Sequence, residues 1–195
     1  MLTMVWTNRR IDDFTDIQLI EGCLSGKSRF QELLYKRYFS FAMSICIRYA
    51  KTPDDAMEVV NDSYLKMFDN LKNFDKNKPF KSWFARILVN TAIDGFRKSK
   101  KFNANVTMDI IPDSNSQEPE IDQELNAEDI ISLFSQLPDN LRITFNLHEI
   151  EGYSHEEIAE LLGIETSSSR GNLTRAKSML RNLYSINVTT KSYNE

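Results

Sequence analysis

Residues 153–180 read "YSHEEIAELLGIETSSSRGNLTRAKSML", and their spacing predicts two helices joined by a tight turn. Ser154-x-x-Glu157 is a capping box, in which hydroxyl and carboxylate each satisfy an orphan backbone N–H of the other residue. Ile158, Ala159 and Leu162 form the apolar face behind it. Gly163 supplies the turn, where a positive φ costs nothing without a Cβ. Ile164 packs back into the core, and Thr166 is expected to cap the second helix. There Leu173, Ala176, Leu180 and Leu183 recur at spacings of three and four, one buried stripe. Apolar offsets, a small residue at the helix crossing and a turn glycine together make the helix-turn-helix pattern.

The opposite stripe carries the chemistry. Ser167, Ser168, Arg170, Asn172 and Arg175 combine small hydroxyls, which let a backbone approach a groove floor, with groups that reach base edges or phosphates. The helix start also presents unpaired N–H groups to a phosphate. Ser and Thr favour helix starts for capping alone, so an exposed serine-rich first turn is the plain alternative.

Working outward, helix signals dominate. Thr15-x-x-Gln18 and Ser28-x-x-Gln31 read as capping boxes, and Thr52-Pro53 as an N-cap with proline at the first helical position. A loop around "NLKNFDKNKP" separates the helix begun there from a long one starting at Pro79. From Phe102 to Leu141 there is no Lys or Arg but there are nine acids, and the first half of that stretch lacks any helical stripe. It reads as a flexible acidic linker. The expected fold is all-α: a helical bundle over residues 1–101, a linker over 102–122, and a helix-turn-helix domain over 123–195.

The chain has 195 residues, 41% hydrophobic, with a net charge of −4. That average conceals segregation. Residues 72–101 hold nine bases against two acids, and the last helix holds Arg170, Arg175, Lys177 and Arg181. Acids gather in the linker and over Asp54–Asp69. Two basic faces and one acidic helix suggest two nucleic-acid contacts and a basic protein partner; ordinary solvated faces are the alternative. Cys23 and Cys46 are far apart, and with His148 and His155 they give no metal-ligand spacing. No cofactor is expected, and no nucleophile–base constellation or phosphate loop points to an enzyme. The N-terminus lacks the apolar core of a signal peptide and no run is long enough to span a bilayer, so a cytoplasmic protein is expected.

Three blocks, in order, carry a family resemblance: "DDAMEVVNDSYLKMFDNL", "FDKNKPFKSWFARILVNTAIDGFRKSKK" and "LPDNLRITFNLHEIEGYSHEEIAELLGIETSSSRGNLTRAKSMLR". They resemble regions 2.2, 2.3–2.4 and 4 of bacterial RNA polymerase sigma factors of the extracytoplasmic-function (ECF) type, within the sigma-70 family. "TSSSRGNLTRAK" is similar to ECF factors of the Bacteroidetes in particular. The resemblance implies a subunit that binds core RNA polymerase and directs it to −10 and −35 promoter elements. The β′ clamp would be met by Asp55, Glu58, Val59, Asp62, Leu65 and Lys66, and the β flap by the apolar surface of region 4. The −35 duplex would be read by Ser167, Ser168, Ser169, Arg170, Asn172, Arg175 and Lys177. The −10 element would be engaged by Asn73, Phe74, Asp75 and Lys76, lining a pocket for a flipped base, and by Arg86, Asn90, Asp94, Arg97 and Lys98 along one helix face. A membrane-bound anti-sigma factor is the further partner implied, without membrane insertion of this chain itself.

Trp83 could stack on a base, or pack among Phe80, Phe84 and Ile87. The aromatic pair that wedges DNA in housekeeping sigma factors falls on Arg86 and Ile87, implying weaker intrinsic melting. Ser169 stands where the family usually places an apolar core residue, and Gly171 where serine is common. The rival readings are a sigma-like module that occupies an anti-sigma factor without touching DNA, and a one-component regulator with a helix-turn-helix output, which leaves Asp54–Lys101 unexplained.

Overall fold

A computed structural model describes residues 13–102 and 127–192. Eight α-helices make up this part of the chain. The N-terminal half holds α1 (Asp16–Leu24), α2 (Ser28–Cys46), α3 (Pro53–Asn70) and α4 (Phe80–Phe102). The C-terminal half holds α5 (Ala127–Ser135), α6 (Asp139–Phe145), α7 (His155–Leu162) and α8 (Thr166–Ser192). A 3₁₀ turn at Leu71–Asn73 follows α3, and a π turn at Asn146–Ile150 continues α6. No strand occurs among the described residues. The expected linker over 103–122 and the expected start of the second domain at 123 lie outside them, while α4 runs through Phe102.

Local signals set most helix starts. Thr15 accepts from the Gln18 N–H while the Gln18 side chain accepts from the Thr15 N–H, closing the box that opens α1. Thr52 and Asp55 do the same for α3, with Pro53 at the first position, and Ser154 and Glu157 for α7. Gly163 ends α7 at φ 63°. One expected box does not form. Ser28 is already helical, so its hydroxyl cannot cap, and Lys27 holds the N-cap position with no side-chain bond. Thr166 likewise falls inside α8 as its first residue.

The N-terminal half packs α2, α3 and α4 around Leu34, Val60, Met67, Phe84 and Leu88, each inaccessible to solvent. Each such side chain contributes about 1.5–3 kcal/mol through burial. In the C-terminal half α6, α7 and α8 enclose Leu141, Ile143, Leu147 and Ile158. The two halves are docked, with Ile143, Leu147, Ile158 and Leu162 continuous with the N-terminal core. That fixes which faces of α3, α4 and α8 remain outside.

Candidate nucleic-acid and polymerase interfaces

The first two turns of α8 present Ser167, Ser168, Arg170 and Thr174 to solvent, with Arg181 two turns on. Arg170 donates to Glu156 at 3.0 Å, and Lys177 pairs with Glu149 at 2.9 Å. The Arg170–Glu156 pair is more than half exposed on both sides, so it contributes about 0–1 kcal/mol and a phosphate can replace its carboxylate. Lys177, and after it His148, hold the Glu149 carboxyl below its usual range.

Two residues expected to face DNA lie inside. Ser169 is fully buried and shares a 3.0 Å hydrogen bond with His155 Nδ1. Its hydroxyl occupies an apolar position because the imidazole of α7 satisfies it, so it packs rather than reads. Burial, then the neighbouring His148 and Arg170, hold His155 below its ordinary pKa, which keeps the ring neutral at neutral pH. Asn172 is 4% exposed, and its Oδ1 accepts from Arg175 Nη2 at 2.8 Å. Arg175 Nε also donates to the Gly171 carbonyl at 3.2 Å. Asn172 thus lies beneath the exposed face and holds a half-buried Arg175. Among the described residues nothing crowds Gly171, where an added Cβ would meet only Arg175 Nη2 at 4.0 Å. Thr174 was missed in the sequence reading; its signal was its spacing, seven residues after Ser167 and four after Arg170.

On the N-terminal half, Asn73, Asp75 and Lys76 are exposed, whereas Phe74 is 7% exposed and buried against Phe80 and Trp83, at ring distances of 5.5 and 5.1 Å. Phe74 thus anchors the loop from beneath, and Trp83 packs against it. Asp75 accepts from the backbone and side-chain N–H groups of Asn77, an Asx turn that shapes the loop. Lys76 ties it to Glu21 of α1 at 2.7 Å. Along α4, Arg86, Asn90, Asp94, Arg97 and Lys98 are all exposed. Asp94 accepts from Lys66 at 2.9 Å, pinning α4 to α3 through two residues expected to face different partners.

On α3, Glu58, Asp62, Leu65 and Asp69 fall at spacings of four, three and four, and all are exposed. Leu65 is 65% exposed, an apolar knob within an acidic stripe. Val59 is half-buried against the core, and Asp55, itself exposed, is the capping partner of Thr52. Asp69 completes the stripe and was absent from the expected set.

Comparison with known proteins adds family. Residues 34–102 match the model of sigma-70 region 2, and residues 127–180 that of sigma-70 region 4. The ECF RNA polymerase sigma-E factor of Haemophilus influenzae is 26% identical over 88% of this chain and 96% of its own length. The RNA polymerase sigma-H factor of Pseudomonas aeruginosa is 26% identical over 83% of this chain and 90% of its own. Among solved structures, the sigma factor RpoE of Bartonella quintana, in complex with the anti-sigma factor NepR, is 22% identical with a TM-score of 0.48, covering 82% of this chain and 98% of that one. With both regions present in order, the chain belongs to the sigma-70 family.

Proposed function

We propose that the chain binds core RNA polymerase and directs promoter-specific initiation. The observation that carries this reading is the separate exposure of three faces on the two family regions. The α3 stripe of Glu58, Asp62, Leu65 and Asp69 is an acidic surface with one apolar knob, suited to a basic coiled-coil element such as the β′ clamp. We assign Arg86, Asn90, Arg97 and Lys98 of α4, with Asn73 and Lys76 of the preceding loop, to the −10 element. Cations there neutralise phosphates while the exposed Asn side chains meet unstacked bases. We assign Ser167, Ser168, Arg170 and Thr174 to −35 base edges, and Arg175, Lys177 and Arg181 to the flanking phosphates. The β flap falls to region 4's apolar surface. No step needs a catalytic group or cofactor; selectivity comes from differential binding.

Run-off transcription with purified core polymerase and a promoter library is the test. Template-specific initiation is expected, and abolition by the combined substitutions Ser168→Asp and Arg170→Glu. Absence of specific initiation on every template, with tight binding to an anti-sigma factor, would favour the sequestering module instead; a module of that kind has no use for two exposed basic faces.

Three finer assignments belong to the same reading. A Bacteroidetes lineage, suggested by the "TSSSRGNLTRAK" wording, would show as stronger initiation with Bacteroidetes core than with enterobacterial core. A cytoplasmic location accords with the described residues, in which no helix is long and apolar enough to cross a membrane; fractionation checks it. A membrane-bound anti-sigma factor should be recovered by affinity capture from solubilised membranes, and its recovery only from the soluble fraction would reject the membrane assignment.

A further inference from the structure

Both histidines of the chain come together in region 4. His148 stands on the π turn at Asn146–Ile150, and His155 is the first residue of α7. Their rings stack with centroids 4.4 Å apart and planes inclined by 23°. His155 Nδ1 is bonded to the Ser169 hydroxyl of α8 at 3.0 Å, and His148 Nδ1 lies 3.0 Å from Glu149 Oε1. Packing alone asks only for two flat rings here. Imidazoles add a charge that can be switched near neutral pH, and π turns recur at functional positions.

The charges around the pair form a pattern. Glu149 follows His148 and is held by Lys177 of α8 at 2.9 Å; Glu156 follows His155 and is held by Arg170 of α8 at 3.0 Å. Each histidine thus sits beside a carboxylate whose countercharge belongs to the helix assigned to the −35 element. Other charged groups on the packed elements are directed elsewhere. Arg142 of α6 donates to the Tyr49 carbonyl and to Asp139, Arg175 of α8 donates to Asn172, and Glu157 of α7 closes its own cap at Ser154.

Burial first, then His148 and Arg170, disfavour a proton on His155, whereas Glu156 and Glu149 favour one. The balance therefore depends on what holds the two carboxylates. While Lys177 and Arg170 neutralise them, the His155 ring stays neutral. When phosphates draw both cations away, the carboxylates are left facing the imidazoles, and a proton from solvent replaces part of the lost countercharge. Two charged rings at 4.4 Å repel, so the pair takes a single proton. The Ser169 hydroxyl both donates and accepts, so its bond to His155 survives the change and α7 stays packed on α8.

We infer that phosphate binding by α8 is proton-linked: as Arg170 and Lys177 exchange Glu156 and Glu149 for the duplex, the His148–His155 pair takes up a proton. By linkage, acid tightens the −35 contact. This rests on the sigma-factor reading above, yet the exchange is measurable in the free chain without DNA or polymerase. Because the sequence holds only two histidines, proton NMR of the untagged full chain follows each ring separately. Arg170→Gln with Lys177→Gln reproduces the loss of both cations and should move the His155 titration to higher pH than in the parent. Glu149→Gln with Glu156→Gln should move it to lower pH. In holoenzyme, binding to a promoter selected from the library should tighten about fivefold from pH 7.5 to pH 6 at fixed salt. His148→Gln with His155→Gln should remove that slope. A His155 titration indifferent to the two cations, parental binding flat over this range, or a slope that survives loss of both rings would each overturn the linkage. Run-off transcription stands apart: its failure on every template alongside the expected NMR series removes the sigma-factor reading and leaves the proton exchange in place.

Discussion

Asn172→Ala separates two readings of one letter. If Asn172 read a base, its loss would relax preference at one −35 position and leave the fold untouched. The structure places it at 4% exposure, with Oδ1 accepting from Arg175 Nη2 at 2.8 Å and Nδ2 reaching Thr144 Oγ1 at 3.5 Å. The first is a charge-assisted bond of good length, contributing about 1.5–3 kcal/mol. Arg175 is only half-buried and recovers part of that from water, and the 3.5 Å contact adds little. The expected cost is about 1–2.5 kcal/mol. For a domain the size of region 4, each kcal/mol moves the melting temperature by about 4–8 °C, so a drop near 10 °C is expected in its transition. Differential scanning calorimetry measures this, and promoter-library selection in parallel measures base preference. Affinity should fall across all −35 variants as Arg175 loses its orientation. An unchanged melting temperature with a changed preference at one base position would refute the burial argument.

Gly22→Ala should destabilise the N-terminal half, because the new Cβ would lie 2.1 Å from Phe30 Cγ, inside any permissible contact. Overpacking of about 1–3 kcal/mol exceeds the roughly 1 kcal/mol that alanine gains in a helix, and Phe30→Leu in the same chain should recover part of it in urea titrations. Leu65→Ala should leave stability unchanged, since the side chain is 65% exposed, while weakening core polymerase binding about tenfold in fluorescence titration; equal binding would remove α3 from that interface. Glu156→Gln releases Arg170 from its 3.0 Å partner and should tighten −35 duplex binding by up to about fivefold at low salt; no change would mean that Arg170 does not touch DNA. Burial pushes the Cys46 thiol up to about 12, whereas an unfolded thiol ionises near 8.5. Above that lower value the unfolded chain holds fewer protons, so stability falls as pH rises through this window. The loss is roughly 2 kcal/mol between pH 8 and 10, and Cys46→Ala should flatten that limb of the urea midpoints.

What was legible in the sequence was whatever rests on local physics. The boxes at Thr15 and Ser154, the N-cap at Thr52, the left-handed turn at Gly163 and the stripe through Leu173 and Ala176 need only neighbours three or four residues away. Where a polar residue faces inward, periodicity fails. Ser169 and Asn172 look like surface letters, yet both are buried, Ser169 against His155 of the preceding helix and Asn172 with its Oδ1 on Arg175. Phe74 erred the same way, its loop position concealing the aromatic cluster beneath it. Arg142 was invisible as a contact because its acceptor, Tyr49, lies 93 residues away.

The net charge of −4 looks unfavourable for a protein that meets DNA twice, and the ion pairs explain why it is not. Lys66, Lys76, Arg170 and Lys177 each rest on an internal carboxylate: Asp94, Glu21, Glu156 and Glu149. In the absence of DNA each such pair lowers the positive charge around it, which limits non-specific attraction to any polyanion. Because the pairs are exposed, breaking one costs little, and a phosphate positioned by correct base contacts can exchange for the carboxylate. A misplaced phosphate gains only the small difference between two similar partners. The lining of the cleft works in the same direction, since Arg86 shares it with Glu151 and Glu157. Acidity that would weaken a simple DNA-binding protein here raises the threshold for engagement, so that both elements and the polymerase are needed together.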